Sequence, residues 1–269
     1  MIPVLVKAAL PKIRPSSELP DLSLVRHDVP LDAKHVASYA ALCGFPRKDV
    51  LPLPYPHLLA CGLHLEIMAD GSFPFPAIGT VHLENSITQH RPIALTEQLQ
   101  VTARPADLRP HAKGQVFDML TTVHSAGELV WEETSTFLRR GAGSDDAPRG
   151  AAYPEAPPTG TVWKLPGDLG RSYAGISGDR NPIHLYGLTA KAFGFPRQIA
   201  HGMWSMARCV GALENRLPDR VRVDVAFKKP ILLPGSVAFG SRPTDDGYAF
   251  SLSNPKSGAP HLAGRTVST

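Results

Sequence analysis

Three short motifs in the first half of the chain recur in the same order in the second half. The pairs are PHLLACGL at 56–63 with PRQIAHGM at 196–203, RPI at 91–93 with KPI at 229–231, and YAALCG at 39–44 with YAGISG at 173–178. The offsets are 196 − 56 = 140, 229 − 91 = 138 and 173 − 39 = 134 residues. Nearly constant offsets predict a duplicated folding unit, which restricts the fold of a 269-residue chain strongly.

The stretch between the two copies has the composition of a linker. Residues 141–160 (GAGSDDAPRGAAYPEAPPTG) are rich in glycine, proline, alanine and serine and have almost no apolar periodicity. We therefore predict a first unit over residues 1–140, a linker over 141–160 and a second unit over 161–269.

Each copy combines a helix pattern with strand patterns. After Gly202, apolar residues recur at the three- and four-residue spacing of a buried helix face: Met203, Met206, Ala207, Val210 and Leu213. Residues 82–105, 115–139 and 221–240 have the alternation and β-branched content of strands, with Gly127 in a hairpin turn. One helix against antiparallel strands, made twice, predicts an α+β architecture.

The charge and the cysteine content bear on partners and location. A net charge of +4, spread over scattered basic residues, is too small to indicate nucleic-acid binding. The three cysteines form no Cys-x-x-Cys pair, so we expect neither a disulfide framework nor a zinc site. Prolines and lysines interrupt the opening residues 1–13, and no run approaches the roughly 20 apolar residues of a membrane span. We therefore expect a cytoplasmic protein without a signal peptide or membrane span.

The segment SGDRNPIH at 177–184 sets Asp179 and His184 five positions apart around an Asn-Pro pair. A structural interpretation is a turn that caps a helix, and a functional one is an acid/base pair. The first copy continues after Gly44 as FPRKD, is about six residues shorter here, and keeps neither the acid nor the histidine. This asymmetry favours one working site supported by a degenerate copy.

The residues around the Asn-Pro pair predict the start of a helix. Asn181 is a favourable N-cap and Pro182 a favourable first residue, so a helix is expected from Pro182 toward Phe193, ending at Gly194. His184 would lie in the first turn, where the helix dipole disfavours protonation. A neutral imidazole there can act as a general base.

A second feature is the start of the buried helix at His201-Gly202. The first amides of a helix have no partner inside it, and a glycine lets a substrate carbonyl approach closely. One such donor stabilises a developing enolate by about 3–4 kcal/mol. The structural alternative for Gly202 is a packing glycine, and we interpret His201 as a structural hydrogen-bonding residue.

Residues 173–190, from Tyr173 through Gly-Asp-Arg-Asn-Pro-Ile-His184 to Ala190, resemble the signature of the MaoC-like family of (R)-specific enoyl-thioester hydratases and (3R)-hydroxyacyl-thioester dehydratases. IAHGM at 199–203 resembles the family's second conserved block. The resemblance implies a hot-dog fold, a central helix wrapped by an antiparallel sheet, present twice in this chain as a double hot-dog and internal pseudo-dimer. Tyr186 departs from the pattern, since many members have Asp there.

The resemblance also implies roles for individual residues. Asp179 and His184 would bind and activate a water that adds to C3 of a trans-2-enoyl thioester, and the reverse reaction would dehydrate a (3R)-hydroxyacyl thioester in fatty-acid metabolism. The Gly202 amide would hold the thioester oxygen, and Asn181 would orient the loop. No cofactor and no metal are expected.

The sequence leaves alternatives for the carrier, the acyl-chain site, the oligomeric state and the function. The carrier is coenzyme A or acyl carrier protein, with Arg180, Lys191 and Arg197 as candidate phosphate contacts. The apolar stretch 51–68 is either plain core or the wall of an acyl-chain tunnel. The two-unit chain could pair again as a homodimer. The rival functions are a hot-dog acyl-thioesterase and a non-catalytic acyl-thioester binding module.

Overall fold

The computed structural model describes residues 18–77, 79–154 and 156–269, so the opening segment discussed above lies outside the described residues. The helices are α1 (Ala33–Cys43), α2 (Pro56–Ala69), α3 (Leu169–Ser177), α4 (Pro182–Leu185), α5 (Gly187–Ala192) and α6 (Gly202–Leu213), followed by a 3₁₀ turn at Glu214–Arg216. The strands are β1 (Leu24–Val29), β2 (Thr80–Gln89), β3 (Leu99–His111), β4 (Gly114–Ser125), β5 (Glu128–Arg140), β6 (Thr161–Leu165), β7 (Val221–Phe227), β8 (Gly235–Pro243), β9 (Gly247–Ser253) and β10 (Pro260–Ser268).

The strands form one antiparallel sheet whose order repeats the same topology twice. Among the described residues the order is β1-β3-β4-β5-β2-β7-β10-β9-β8-β6. Adding five to each strand number of the first half (β1-β3-β4-β5-β2) gives β6-β8-β9-β10-β7, which is the order of the second half from its outer edge inward. The two copies therefore meet at β2 and β7. There Ser86 pairs with Asp224, and 224 − 86 = 138, one of the offsets found in the sequence. The predicted α+β double hot-dog fold is confirmed.

The long helix of each copy lies in the core. On α6 the predicted face is buried, and Met206, Ala207, Val210 and Leu213 have no exposed surface. On α2, Leu63 and Ile67 are buried in the same hydrophobic cluster. Truncating such a side chain to alanine costs about 2–5 kcal/mol, so these helices contribute much of the stability of the fold.

The two copies differ in the segment that precedes the long helix. In the second copy α4 and α5 lie between α3 and α6, whereas residues 44–55, all of which are described, form no helix. The single helix predicted from Pro182 to Phe193 is wrong, because the chain is extended at Tyr186 (φ −141°, ψ 148°) and divides it into two short helices. Asn181 does cap α4, and the chain turns at Gly194 with φ 81°.

No helix of the described residues is long and apolar enough to cross a membrane. The three cysteines are free thiols, two of them buried. The expected first unit ends at residue 140, which is the last residue of β5, and the expected second unit begins at residue 161, which is the first residue of β6.

Candidate active site

The loop that holds Asp179 is fixed by its own short-range hydrogen bonds. Gly178 ends α3 in the left-handed conformation (φ 77°), which favours glycine. The Asp179 N–H donates to Ser177 Oγ at 3.2 Å, and the Asn181 N–H donates to Asp179 Oδ1 at 3.0 Å. Asn181 Oδ1 in turn accepts from the Ile183 N–H at 3.4 Å. The Asp179 side chain keeps 42% of its surface exposed, so one carboxylate oxygen can reach a ligand.

His184 is oriented by a backbone carbonyl. Its Nδ1 lies 2.9 Å from the Ile199 carbonyl oxygen, which can only accept, so Nδ1 carries the hydrogen. The neutral ring therefore has its lone pair on Nε2, the form that a general base needs. Gly170 makes this placement possible, because a Cβ there would overlap the His184 carbonyl where α3 and α4 meet.

His201 packs directly on His184. The two ring centroids are 3.7 Å apart at 26°, and His201 is only 2% exposed. His201 Nε2 donates to the Asp179 carbonyl oxygen at 3.1 Å and lies 3.7 Å from Asp179 Oδ2. His201 thus has the structural hydrogen bond expected of it and also packs against both His184 and the Asp179 loop.

Burial and mutual contact set the protonation of the three groups. Burial lowers the pKa of His184, and burial together with the stacked His184 ring lowers the pKa of His201 to about 3. Burial raises the pKa of Asp179, but His201, His184 and the Asn181 N–H outweigh it and leave the pKa below its usual value. At neutral pH the site therefore holds a carboxylate and two neutral imidazoles. The expected cause for His184 was the helix dipole, but α4 has only four residues and burial is the larger effect.

Gly202 is the first residue of α6, directly after His201. The His201 side chain makes no capping hydrogen bond, and the first amides of the helix have no partner within it. A Cβ on Gly202 would lie 3.1–3.2 Å from atoms of the Phe227 ring. Glycine therefore allows close packing of the Phe227 ring, and Gly202 also lines the cavity described below, so the two interpretations of Gly202 are compatible.

Asp179, Asn181, His184 and Gly202 line one cavity of about 820 Å³. The cavity extends into the first half of the chain, where Leu65, Met68 and other residues of α2 form part of its wall. This volume is sufficient for a sizeable acyl group.

The ligand atoms of Asp179, His184 and His201 all lie within 4.8 Å of one another, a spacing that a metal ion could also use. His184 Nδ1 and His201 Nε2 are both engaged with backbone carbonyls, and His201 Nδ1 is buried without a hydrogen-bond partner among the described residues. The Asp179 carboxylate and His184 Nε2 remain for a ligand in the cavity. A water molecule needs two to four polar partners, and these groups supply two of them.

The basic residues at the cavity are not those expected from the sequence. Arg180, Lys191 and Arg197 are not among the described residues that line it. Five other basic residues do line it, all exposed: Lys113, Arg140, Arg149, Lys228 and Lys229. The pairs at 139–140 and 228–229 were visible in the sequence, but their position at this cavity depends on strand pairing.

Sequence reasoning also missed a cluster of polar residues in the first half. His57, His64 and His82 line the same cavity, and Glu133 binds His57. No ligand-type spacing connects these residues along the chain, because they come from α2, β2 and β5.

Comparison with known proteins gives the class. A family model described as a MaoC-like domain matches residues 156–241, which include the Asp179–His184 loop and Gly202. The 3-hydroxyacyl-thioester dehydratase X of Mycobacterium tuberculosis is 37% identical over 257 residues, 94% of this chain and 92% of that protein. The chain therefore belongs to the MaoC-like dehydratase family, as the sequence motif predicted.

A solved structure of this dehydratase and one further relative agree with this class. The crystal structure of HtdX from M. tuberculosis superposes with a TM-score of 0.83 and 35% identity, covering 92% of this chain and all of that one. The enoyl-CoA hydratase ChsH3 of the same organism is 26% identical over 162 residues, 54% of this chain and 53% of that protein. Relatives named dehydratase and hydratase confirm the expectation that this chain is a hydro-lyase.

Proposed function

We propose that this protein catalyses the reversible hydration of trans-2-enoyl thioesters to (3R)-hydroxyacyl thioesters, with Asp179 and His184 as the acid/base pair. One observation carries the proposal: a carboxylate, an imidazole with its lone pair on Nε2 and a helix-terminal glycine amide border the same cavity. These are the groups that addition of water next to a thioester carbonyl needs.

The proposed hydration consumes one water molecule, whose hydroxyl goes to C3 while a proton goes to C2. A water bound between Asp179 and His184 Nε2 gives a proton to Nε2 as its oxygen bonds to C3. The π electrons of the C2–C3 double bond move onto the thioester, and the Gly202 N–H stabilises the resulting enolate oxygen. The imidazolium then returns a proton to C2 from the same face as the water. Dehydration follows the same steps backward.

The carrier would be held at the exposed basic residues of the cavity mouth. Phosphates are present on both coenzyme A and the prosthetic group of acyl carrier protein, and lysine and arginine bind them through charge-assisted hydrogen bonds. We favour Lys228 and Lys229, since both are exposed and line the cavity. Arg180, Lys191 and Arg197 remain an alternative set for contacts of a protein carrier outside the cavity.

Three further points complete the proposal. Residues 1–140 would be the degenerate unit, 141–160 the linker and 161–269 the catalytic unit. The free thiols suit a reducing compartment, for which we propose the cytoplasm. The chain would act as an internal pseudo-dimer, and a homodimer of chains is a further arrangement that sedimentation can test.

The test follows the enoyl absorbance of crotonyl-CoA and trans-2-decenoyl-CoA, with chiral analysis of the product and a parallel assay of free thiol. We expect loss of the enoyl absorbance, an (R)-alcohol and no thiol release. Thiol release would instead indicate the thioesterase alternative. Tight binding of both thioesters and of acyl-carrier-protein substrates without turnover would indicate the binding module.

A further inference from the structure

The first half of the chain presents a polar wall to the shared cavity. His57, Cys61 and His64 lie at positions i, i+4 and i+7 of α2, which places them on one helix face, and all three line the cavity. His82 of β2 joins them from the sheet, with its ring centroid 6.2 Å from that of His57.

Behind these histidines lies a hydrogen-bonded network. His57 Nδ1 is 2.9 Å from both carboxylate oxygens of Glu133, whose side chain has no exposed surface. Asn85 Nδ2 donates to Glu133 Oε1 at 2.6 Å and to Ser135 Oγ at 3.0 Å. The wall is therefore supported from below by groups that fix the His57 ring.

Such a network is a costly lining for a hydrocarbon tunnel. Burying a carboxylate beside a histidine removes both from water, and their mutual attraction often fails to recover that cost. Apolar side chains of similar size would fill the same space at lower cost, as Leu65 and Met68 do on the same helix. The presence of a polar network at the cavity therefore indicates that a polar group of the ligand binds there.

One ring nitrogen on this wall is accessible to such a group, and a second lies buried behind it without a partner. Burial lowers the pKa of His57, but the charge of Glu133 outweighs burial and raises it, which favours an imidazolium whose Nδ1–H donates to Glu133. No hydrogen bond among the described residues uses its Nε2–H, and the side chain keeps 12% of its surface exposed. The His82 Nε2 atom is buried and has no hydrogen-bond partner among the described residues. A ligand oxygen that accepts a hydrogen bond here would be favourable, because a buried polar group without a partner is destabilising.

We infer that this wall binds a neutral oxygen substituent on the acyl chain, so that the preferred substrates are enoyl thioesters with a hydroxyl, ether or keto oxygen beyond C4. The inference rests on the proposed function and deepens it. A carboxylate substituent is disfavoured, because the charge of His57 is already paired with Glu133 and Asp179 adds a negative charge to the cavity.

The test compares trans-2-decenoyl-CoA with analogues in which one methylene, at successive positions beyond C4, is replaced by oxygen or carries a hydroxyl. In the wild type we expect kcat/KM to be about 10-fold or more higher for at least one position, the size of one good hydrogen bond to a charged or buried group. Dissociation constants of the matching saturated acyl-CoA series give the same comparison without turnover.

The variant is His57→Leu with Glu133→Gln, which removes the pair but keeps an acceptor for Asn85. We expect the preference for the oxygenated substrate to fall to about 1, and the single variant His57→Gln to keep part of it. The control Met68→Leu, on the same helix and cavity, should leave the ratio as in the wild type.

Binding ratios test the inference, and turnover tests the proposed function. Equal binding of plain and oxygenated chains by the wild type overturns the inference, and an equal loss on every substrate in the double variant assigns the pair to the scaffold or to the pantetheine arm and also overturns it. Absence of turnover on every chain would reject the proposed function, while the binding ratio would still decide the inference.

Discussion

The two halves of the molecule share one topology but have different surfaces toward the cavity. The second half inserts α4 and α5 before its long helix and so holds Asp179 and His184 above Gly202. The first half has no helix over the described residues 44–55 and turns a histidine-rich face of α2 to the same cavity. Under the proposed function, duplication would let one copy keep the chemistry while the other forms a wall that selects the acyl group.

The largest loss of activity is expected on substitution of Asp179 or His184, the proposed acid/base pair of the second half. Asp179→Asn and His184→Gln should each lower kcat/KM by about 10³-fold, within the range for loss of a positioned acid or base. Steady-state hydration kinetics measure this. The matched control is Phe45→Leu, at the first-half position that aligns with Asp179, where a fall of comparable size would contradict the assignment of chemistry to one half.

The next effect concerns the Gly202 amide. Gly202→Pro removes the N–H, and His201, with φ −66° and ψ 139°, already has the backbone conformation that precedes proline. We expect kcat to fall by about 10²–10³-fold. Gly202→Ala brings the same Cβ toward Phe227 but keeps the N–H. If both variants lose the same activity, packing and not hydrogen bonding explains the glycine.

A smaller effect is expected at the cavity mouth. The double variant Lys228→Glu with Lys229→Glu should raise KM for a CoA thioester by about 5–10-fold at low salt, and less at high salt because exposed charges are screened. The comparison pair is Lys191→Glu with Arg197→Glu, which lies outside the cavity lining. A larger rise in KM for this second pair would assign the carrier site to the residues first expected from the sequence.

The last prediction concerns a different quantity, the free energy of unfolding at acid pH. Burial lowers the pKa of His64 to about 3, so between pH 6.5 and 3 the unfolded state binds a proton that the folded state does not. The free energy of unfolding should therefore fall with decreasing pH by about 1.4 kcal/mol per unit from this residue. His64→Gln, which can still bond Thr121, should reduce that slope in urea unfolding at pH 7, 6 and 5. The exposed His27→Gln serves as the control, and an unchanged slope in His64→Gln would contradict the prediction.

Much of the fold could be predicted because the repeat and the helix pattern are local signals. The offset of 138 residues reappears as the Ser86–Asp224 pairing, and the predicted face of α6 is buried. Asp179, His184 and Gly202 could be found because a contiguous loop and a helix start carry them. The break at Tyr186 was missed, since helix-start signals at Asn181-Pro182 say nothing about where the chain turns extended.

What could not be predicted depends on contacts between distant segments. His57 and Glu133 are 76 residues apart, and neither has a local pattern that distinguishes it from a surface residue. Their meeting requires the register of β5 against β2 and the rotation of α2 over the sheet. The same holds for the basic residues of the mouth, which come from β5, from the turns after β3 and β7, and from the stretch 141–160.

The seam between β2 and β7 has a consequence for how the two copies are kept together. Six consecutive residue pairs join the strands, and Asp224 at the centre accepts hydrogen bonds from Ser86, Arg222 and Arg265. The connecting stretch adds to this seam, because the Ala151 N–H donates to Glu84 of the first half and the Ala151 carbonyl accepts from Lys228 of the second. The covalent connection also fixes stoichiometry, because each chain holds the two unlike halves in a one-to-one ratio.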